Sequence, residues 1–177
     1  MWVMLLLLRN EEEVVLPGLN GKLDEIRSVM GILALRDVDA GIARRRAVVE
    51  RYLDFFRSAA IEGIGVPYGV LEDPEITHNY SYFPVVVEPR EGLDRDVLYA
   101  GLRERGVVAR KYYYPTVLDL PIYKGMDMRV EDAANAAFLS RNVLCLPVNQ
   151  HYSEEDCDAI TGVVLDLSRR ARTAPNA

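Results

Sequence analysis

The chain has 177 residues, of which 50% are apolar and 27% are charged, a composition typical of a folded globular protein with room for one ordinary domain. Its formal net charge of −6 at pH 7 argues against a nucleic-acid partner. The two cysteines and two histidines are scattered along the sequence, so a metal site, which needs several ligands close together, is not expected.

An apolar run, MWVMLLLL, opens the sequence at residues 1–8. A membrane-spanning helix needs about 20 apolar residues, and a signal peptide begins with a basic region that this run lacks. We therefore expect a buried strand or an exposed remnant here and no membrane partner. The small number of cysteines, without a secretory signature, indicates a reducing, cytoplasmic setting.

Helices dominate the prediction for residues 17–61. From residue 22 to residue 35, apolar side chains recur at the spacing of a helix with one buried face. These are Leu23, Ile26, Val29, Met30 and Leu33. A second helical stretch, 42–56, has apolar residues on one side and arginines 44–46 on the other. Because residues 36–41 interrupt or kink the pattern, the segment forms either a helical pair or one bent helix.

The period of the pattern changes after residue 62. Residues 62–76 are rich in glycine and proline and read as a connector. Strands are predicted at 79–88, 107–115 and 143–148, and helices at 93–106, 130–142 and 153–172. In the helix at 93–106, we expect Leu93, Val97, Leu98 and Leu102 to point inward. The predicted fold class is α/β of the α+β kind, with long helices followed by a small three-stranded sheet covered by helices.

The turn PGLNGKLDE, at residues 17–25, places Asn20 and Lys22 just before a helix. Backbone N–H groups and the dipole at a helix N-terminus favour anions, phosphate in particular. An amide and an ammonium beside them would add hydrogen-bond donors and charge. Helix capping alone explains the same residues, so the turn by itself leaves both interpretations open.

The segment RKYYYP, at residues 110–115, is the second candidate site. In a strand, Arg110, Tyr112 and Tyr114 would share one face, which suits a hydroxylated or phosphorylated ligand. Tyr80 and Tyr82 would share a face of the neighbouring strand and line the same pocket. The alternative is that these tyrosines pack on helices with their hydroxyl groups at the rim.

Several segments, in this order, resemble one protein family. The sequence PGLNGKLDEIRSVMGILALRDVDAGIARRRAVVERY is followed by NYSYFPVV, GLRERGVVARKYYYP, LPIY and VLCLPVNQHYSEEDCDAI. Together they resemble the DegT/DnrJ/EryC1/StrS sugar aminotransferases over about residues 9–168. The resemblance implies a homodimeric pyridoxal 5'-phosphate (PLP) enzyme of aspartate-aminotransferase fold type, which acts on nucleotide-linked keto-sugars. It covers only the C-terminal half of that family's sequence.

Domain boundaries and site residues follow from the resemblance. Residues 1–16 would be a remnant of the large-domain junction, 17–61 the interface helices, and 62–177 the C-terminal small α/β domain. Asn20, with Lys22 as a second candidate, would bind the phosphate of PLP held by a neighbouring subunit. The substrate-binding residues implied for the sugar-nucleotide pocket are Arg110, Tyr112 and Tyr114.

The lysine content separates this chain from a complete enzyme of the family. Catalysis with PLP needs a lysine amine to hold the cofactor covalently. The three lysines, Lys22, Lys111 and Lys124, all belong to C-terminal motifs and not to the active-site lysine motif. No catalytic residue is therefore assigned, and the chain is expected to be inactive alone. The alternative is a non-catalytic module that docks onto an intact aminotransferase.

Overall fold

A computed structural model describes residues 7–8, 14–16, 23–123, 126 and 133–173. The chain divides into two units, Met1–Ala40 and Gly41–Ala177. Each unit is described by itself.

The first unit contains a short antiparallel pair of strands, β1 (Leu7–Leu8) and β2 (Val14–Leu16), and the first part of helix α1 (Glu25–Ala59). The side chain of Asp24 accepts a hydrogen bond from the Arg27 backbone N–H at 2.9 Å, which satisfies one free donor of the first turn. Helix α1 is continuous through residues 36–41, so one helix replaces the possible helical pair. That segment contains no proline, and its polar residues do not break a helix.

The apolar residues of α1 within the first unit are exposed. Met30 is 65% exposed and Leu33 is 51% exposed. The large apolar side chains exposed between residues 23 and 38 are Leu23, Ile26, Val29, Met30, Ile32, Leu33, Leu35 and Val38. The helical spacing was correctly predicted, but the expected burial of its apolar face is wrong in this structure.

Among its described residues, the second unit contains the rest of α1 and eight further elements. In chain order these are β3 (Ile64–Gly65), α2 (Tyr68–Leu71), β4 (Phe83–Val87), α3 (Arg95–Glu104), a 3₁₀ turn (Val117–Asp119), α4 (Ala134–Asn142), β5 (Val143–Leu146) and α5 (Glu154–Thr173). The first residues of the helix predicted at 130–142 lie outside the described residues. No helix among those described is long and apolar enough to cross a membrane.

A three-stranded antiparallel sheet has the order β3-β4-β5. The mixed helical fold with a small three-stranded sheet was correctly predicted, but one strand was assigned to the wrong residues. The third strand of the observed sheet is β3, which lies inside the segment 62–76 that was predicted to be a connector. Residues 107–115 contribute only an isolated bridge between Arg110 and Cys145, because the chain turns at residues 112–113. Pro115 adds to this, since it cannot donate to a strand and restricts the residue before it.

Three aromatic rings form the centre of the core under the sheet. The ring of Phe83 lies 5.1 Å from the ring of Tyr52 and 5.8 Å from that of Phe56, measured between centroids. Although Tyr52 is buried, its hydroxyl group has a hydrogen-bond partner, because it donates to the Pro147 carbonyl at 3.0 Å. Burial raises the pKa of the Tyr52 phenol. The core therefore ties α1 to β4 and to the loop that follows β5.

Helix α3 packs against α5 through a face that differs slightly from the predicted one. Leu98 and Leu102 are buried as expected, whereas Val97 is 49% exposed, so its predicted inward orientation is wrong. Gly101 lies on the packed face, where an added Cβ atom would come within 2.6 Å of a Leu167 methyl group. This close approach places positions 98, 101 and 102 inward, and Val97 falls about 100° away from position 98 around the helix.

Candidate functional site

The five residues assigned from the sequence fall into two groups. Asn20 and Lys22 lie outside the described residues, so their role stays a prediction. Arg110, Tyr112 and Tyr114 are described. The structure brings Arg110 and Tyr112 together and places Tyr114 elsewhere.

Arg110 stands at the edge of a cavity of about 290 Å³. Its backbone pairs with Cys145 of β5, with N–O distances of 2.9 and 2.8 Å, which fixes the start of its side chain. The guanidinium donates a hydrogen bond to the Tyr112 hydroxyl and lies 5.5 Å from the centre of that ring. Tyr82 and Asn149 line other parts of the cavity. An oriented cation thus lies beside phenol groups at a cavity whose lining is partly polar and partly apolar.

Three tyrosines form a cluster beside Arg110. The ring of Tyr112 meets that of Tyr82 edge-on at 5.4 Å and stacks on that of Tyr113 at 5.0 Å. A hydrogen bond between Tyr82 and Tyr113 raises the pKa of the Tyr82 phenol. Of the two tyrosines expected to share a strand face, Tyr82 therefore lines the cavity. Tyr80 precedes β4 and has a φ of 52°, so the strand predicted from residue 79 does not extend that far.

Tyr114 does not share a face with Arg110. Its ring lies beneath the guanidinium of Arg95, 4.7 Å from ring centre to Cζ. The expectation that Arg110, Tyr112 and Tyr114 line one strand face is wrong, because residues 111–115 do not form a strand. A cation over an aromatic face is favourable, and more so where water is excluded.

Arg95 belongs to a charged network that the sequence analysis missed. Its Nε donates to Asp96 at 2.6 Å, and its Nη1 donates to the Ser140 carbonyl at 3.0 Å. Lys111 lies 2.6 Å from the same Asp96 oxygen and 4.4 Å from the centre of the Tyr99 ring. The hydrogen bond from Lys111, with a second from Arg95, lowers the pKa of Asp96. One carboxylate therefore holds two cations.

A signal for this network was present in the sequence. Arg95 follows Asp94, which caps α3 by accepting hydrogen bonds from the Asp96 and Val97 backbone N–H groups at 2.8 and 2.7 Å. A cation at the first position of a helix opposes the helix dipole. Such a local violation of a structural preference is typical of residues kept for another purpose.

The lysine content of the described residues bears on how the chain could hold PLP. Lys111 is the one lysine among them, and its ammonium is bound by Asp96. The described part of the chain also has no group of three side chains able to hold a metal ion. The residues around the cavity beside Arg110 offer recognition of an anionic, hydroxyl-rich ligand by a guanidinium and phenols.

A second cavity, of about 480 Å³, lies between α1 and the start of α5. It is lined by two arginines, Arg44 and Arg51, and by three carboxylates, and Arg51 is already neutralised within the protein. Arg51 donates two hydrogen bonds to Asp158, at 2.9 and 2.7 Å, and lies 3.3 Å from Glu154. Although this cavity is larger, the one beside Arg110 is the better candidate for an anionic ligand.

Comparison with known proteins identifies the class to which this fold and site belong. The DegT/DnrJ/EryC1/StrS aminotransferase family matches residues 8–165. A dTDP-4-amino-4,6-dideoxy-D-glucose transaminase of Escherichia coli is 30% identical over 157 residues, which are 88% of this chain and 41% of that protein. S. venezuelae DesV, solved in complex with a ketimine intermediate, has a TM-score of 0.76 and 26% identity, and the match covers 92% of this chain and 41% of DesV.

A further solved structure, that of DesI in the presence of its TDP-sugar product, has the same fold. It has a TM-score of 0.75 and 23% identity, and the match covers 88% of this chain and 38% of DesI. The chain belongs to the DegT/DnrJ/EryC1/StrS aminotransferase family, whose members are PLP-dependent aminotransferases. It spans about two-fifths of the length of the relatives that it matches.

Proposed function

We propose that the chain is the C-terminal portion of a PLP-dependent aminotransferase that acts on a nucleotide-linked keto-sugar. The observation that carries this proposal is the pairing of Arg110 with Tyr112 at a cavity edge, within the part of the chain that matches the family. Arg110 would bind the diphosphate, because charge-assisted hydrogen bonds from a guanidinium suit phosphate oxygens. Tyr112 would orient Arg110. Tyr114 remains a candidate contact, since it is 54% exposed.

The cofactor role that we propose for this chain is indirect. Asn20, with Lys22 beside it, would bind the phosphate of a PLP molecule held by another polypeptide. The lysine that holds PLP covalently would lie outside these residues. In support, Lys111, the one lysine among the described residues, is bound by Asp96. When bound, PLP would supply the carbanion stabilisation that transamination needs.

Binding of thymidine diphosphate (dTDP) tests the proposed substrate class, because the E. coli relative is named for a dTDP-sugar. Isothermal titration calorimetry of the chain should detect dTDP. Replacing Arg110 by methionine should weaken binding about ten- to a hundredfold, since a hydrogen bond to a charged group contributes about 1.5–3 kcal/mol. Methionine preserves length and removes the charge.

Arg46→Met is the matched control for Arg110→Met. Arg46 is also exposed and is paired with Glu50 at 2.7 Å, but it does not line the cavity. Its replacement should leave the dTDP affinity within about twofold, because surface ion pairs contribute little. No heat of binding for the unmodified chain, or equal losses in the two variants, would contradict the proposed substrate class.

Absorption spectroscopy tests the proposed absence of the covalent lysine. When the chain is mixed with PLP and dialysed, we expect the visible absorption of bound PLP to be lost. The reason is that Lys111 is already engaged by Asp96, and the other lysines, Lys22 and Lys124, lie in different motifs. A visible band that survives dialysis and disappears in one lysine-to-alanine variant would show a covalent site in this chain.

The exposed face of α1 favours a second candidate function, assembly with an aminotransferase polypeptide. We infer that the row of exposed apolar side chains between residues 23 and 38 is an interface. Its proposed occupant is the N-terminal part that the relatives have and this chain does not span, because the match covers only 41% of the E. coli relative. A homodimer, which the family resemblance implies, would place the proposed Asn20 contact next to a second active site.

A further inference from the structure

Arg95 is buried where a cation is disfavoured. It is the first residue of α3, at the positive end of the helix dipole, and its side chain is only 4% exposed. A charge removed from water is stable only when its hydrogen-bonding groups are satisfied and an opposite charge is near. Arg95 meets both conditions, so its contacts identify what it holds in place.

Those contacts converge on the segment 111–115 from three directions. The guanidinium covers the ring of Tyr114 at 4.7 Å. Through Asp96, it shares a carboxylate with Lys111. It also donates to the Ser140 carbonyl at 3.0 Å, and the hydroxyl of Ser140 donates to the Tyr113 carbonyl at 2.8 Å. Residues on both sides of Tyr112 are thereby attached to α3 and α4.

Tyr112 connects this fixed segment to Arg110 at the edge of the cavity. Its neighbours Lys111 and Tyr113 are fixed by the network. Its hydroxyl accepts the hydrogen bond from Arg110. The direction of the Arg110 guanidinium therefore depends on where the segment holds Tyr112.

We propose that Arg95 is a positioning residue, whose buried guanidinium fixes the segment 111–115 so that Tyr112 orients Arg110 toward the cavity. This role rests on the proposed function insofar as Arg110 binds the nucleotide. Arg95 itself touches no ligand. Because Arg95 fixes the segment before a ligand binds, it reduces the entropy cost of ordering side chains on binding. Preorganisation of this kind improves affinity.

The titration of Tyr82 tests the arrangement without any ligand. The pKa of Tyr82 is raised mainly by its hydrogen bond with Tyr113, with Tyr112 adding to the shift and Arg110 opposing it. Loss of the fixed segment in Arg95→Met should release Tyr113 and lower the Tyr82 pKa toward its ordinary range. The measurement is a pH titration by NMR with ¹³C-labelled tyrosine, in which Tyr82→Phe assigns the signal.

Two further variants keep the titration decisive. Ser140→Ala removes one attachment of Tyr113 and should shift the Tyr82 pKa in the same direction, by less, even if Arg95→Met does not fold. Arg105→Met, at the residue that directly follows α3, is the matched control, because Arg105 also donates to a backbone carbonyl, that of Gly101, and to a carboxylate, that of Asp166. It should leave Tyr82 unchanged. An unaltered Tyr82 titration in Ser140→Ala and in folded Arg95→Met overturns the proposal.

Affinity for dTDP distinguishes failure of this inference from failure of the proposed function. Arg95→Met should bind dTDP about tenfold more weakly than the unmodified chain, which corresponds to ordering one or two side chains on binding. Arg105→Met should bind as the unmodified chain does. If the unmodified chain does not bind dTDP, the proposed function fails, whereas the Tyr82 titration still decides whether Arg95 sets the arrangement. If dTDP binds equally to Arg95→Met, the positioning role fails and the proposed function stands.

Discussion

Replacing Phe83 by alanine is expected to lower the free energy of unfolding by about 3–5 kcal/mol. Phe83 is fully buried on the central strand β4 and contacts the rings of Tyr52 and Phe56. Its removal would leave a cavity that neither a sheet strand nor a helix can close by a small shift, and both transfer energy and packing would be lost. Urea denaturation followed by circular dichroism measures the change.

Phe138→Ala provides the control for the change at Phe83. Phe138 lies on α4 and is 47% exposed, so the same deletion there should cost less than about 1 kcal/mol. Equal losses at Phe83 and Phe138 would contradict the core described here. If Phe83→Ala also changes the slope of the free energy of unfolding against urea concentration, the variant and the unmodified chain should be compared at the transition midpoint. That slope reports the surface exposed on unfolding.

Placing glutamate at both Met30 and Leu33 is expected to abolish the association proposed for α1. Each side chain is more than half exposed in this structure, and burying one in an interface contributes about 1.5–3 kcal/mol. The double variant should therefore bind its partner at least a hundredfold more weakly, by about 3 kcal/mol or more. Glutamate is a good helix former, so α1 itself should persist.

Sedimentation velocity measures this association, with the N-terminal part of the E. coli transaminase as the added partner. The unmodified chain should form a complex with that polypeptide, and alone it should associate as its concentration rises. Arg36→Glu, on the same helix, makes the same change of two charge units and should leave the complex intact. A chain that stays monomeric at high concentration and ignores the added polypeptide would contradict the proposed interface.

The β-branched and aromatic composition of residues 79–88 predicted β4, and helical spacing predicted α3. The alternation of buried residues in β4 and the spacing of Leu98 and Leu102 in α3 follow from local geometry. The strand β3 was missed because two residues, one of them a glycine, carry no period at all, and only pairing with β4 makes them a strand. Continuity of α1 was also undecided, since residues 36–41 include charged residues and a glycine but no proline.

The candidate site was only partly predictable for a related reason. Arg110 was proposed because its residue type suits an anion, and the family resemblance pointed to the same segment. The true neighbours of that segment come from α3 and α4, far along the chain, and no local pattern relates Arg95 or Ser140 to Tyr114. Assigning Tyr114 to the face of Arg110 failed because it assumed a strand where the backbone turns.

The hydroxyl group of Tyr52, hydrogen-bonded to the Pro147 carbonyl, has a consequence for how such a chain can evolve. Pro147 belongs to a run of cavity-lining residues that extends from Cys145 to Asn149. Because the run is anchored at Pro147 by a phenol from the core, the two positions after it are free to vary in size and polarity. New ligand preferences can then arise by substitution of cavity-lining residues while the core of the domain is unchanged.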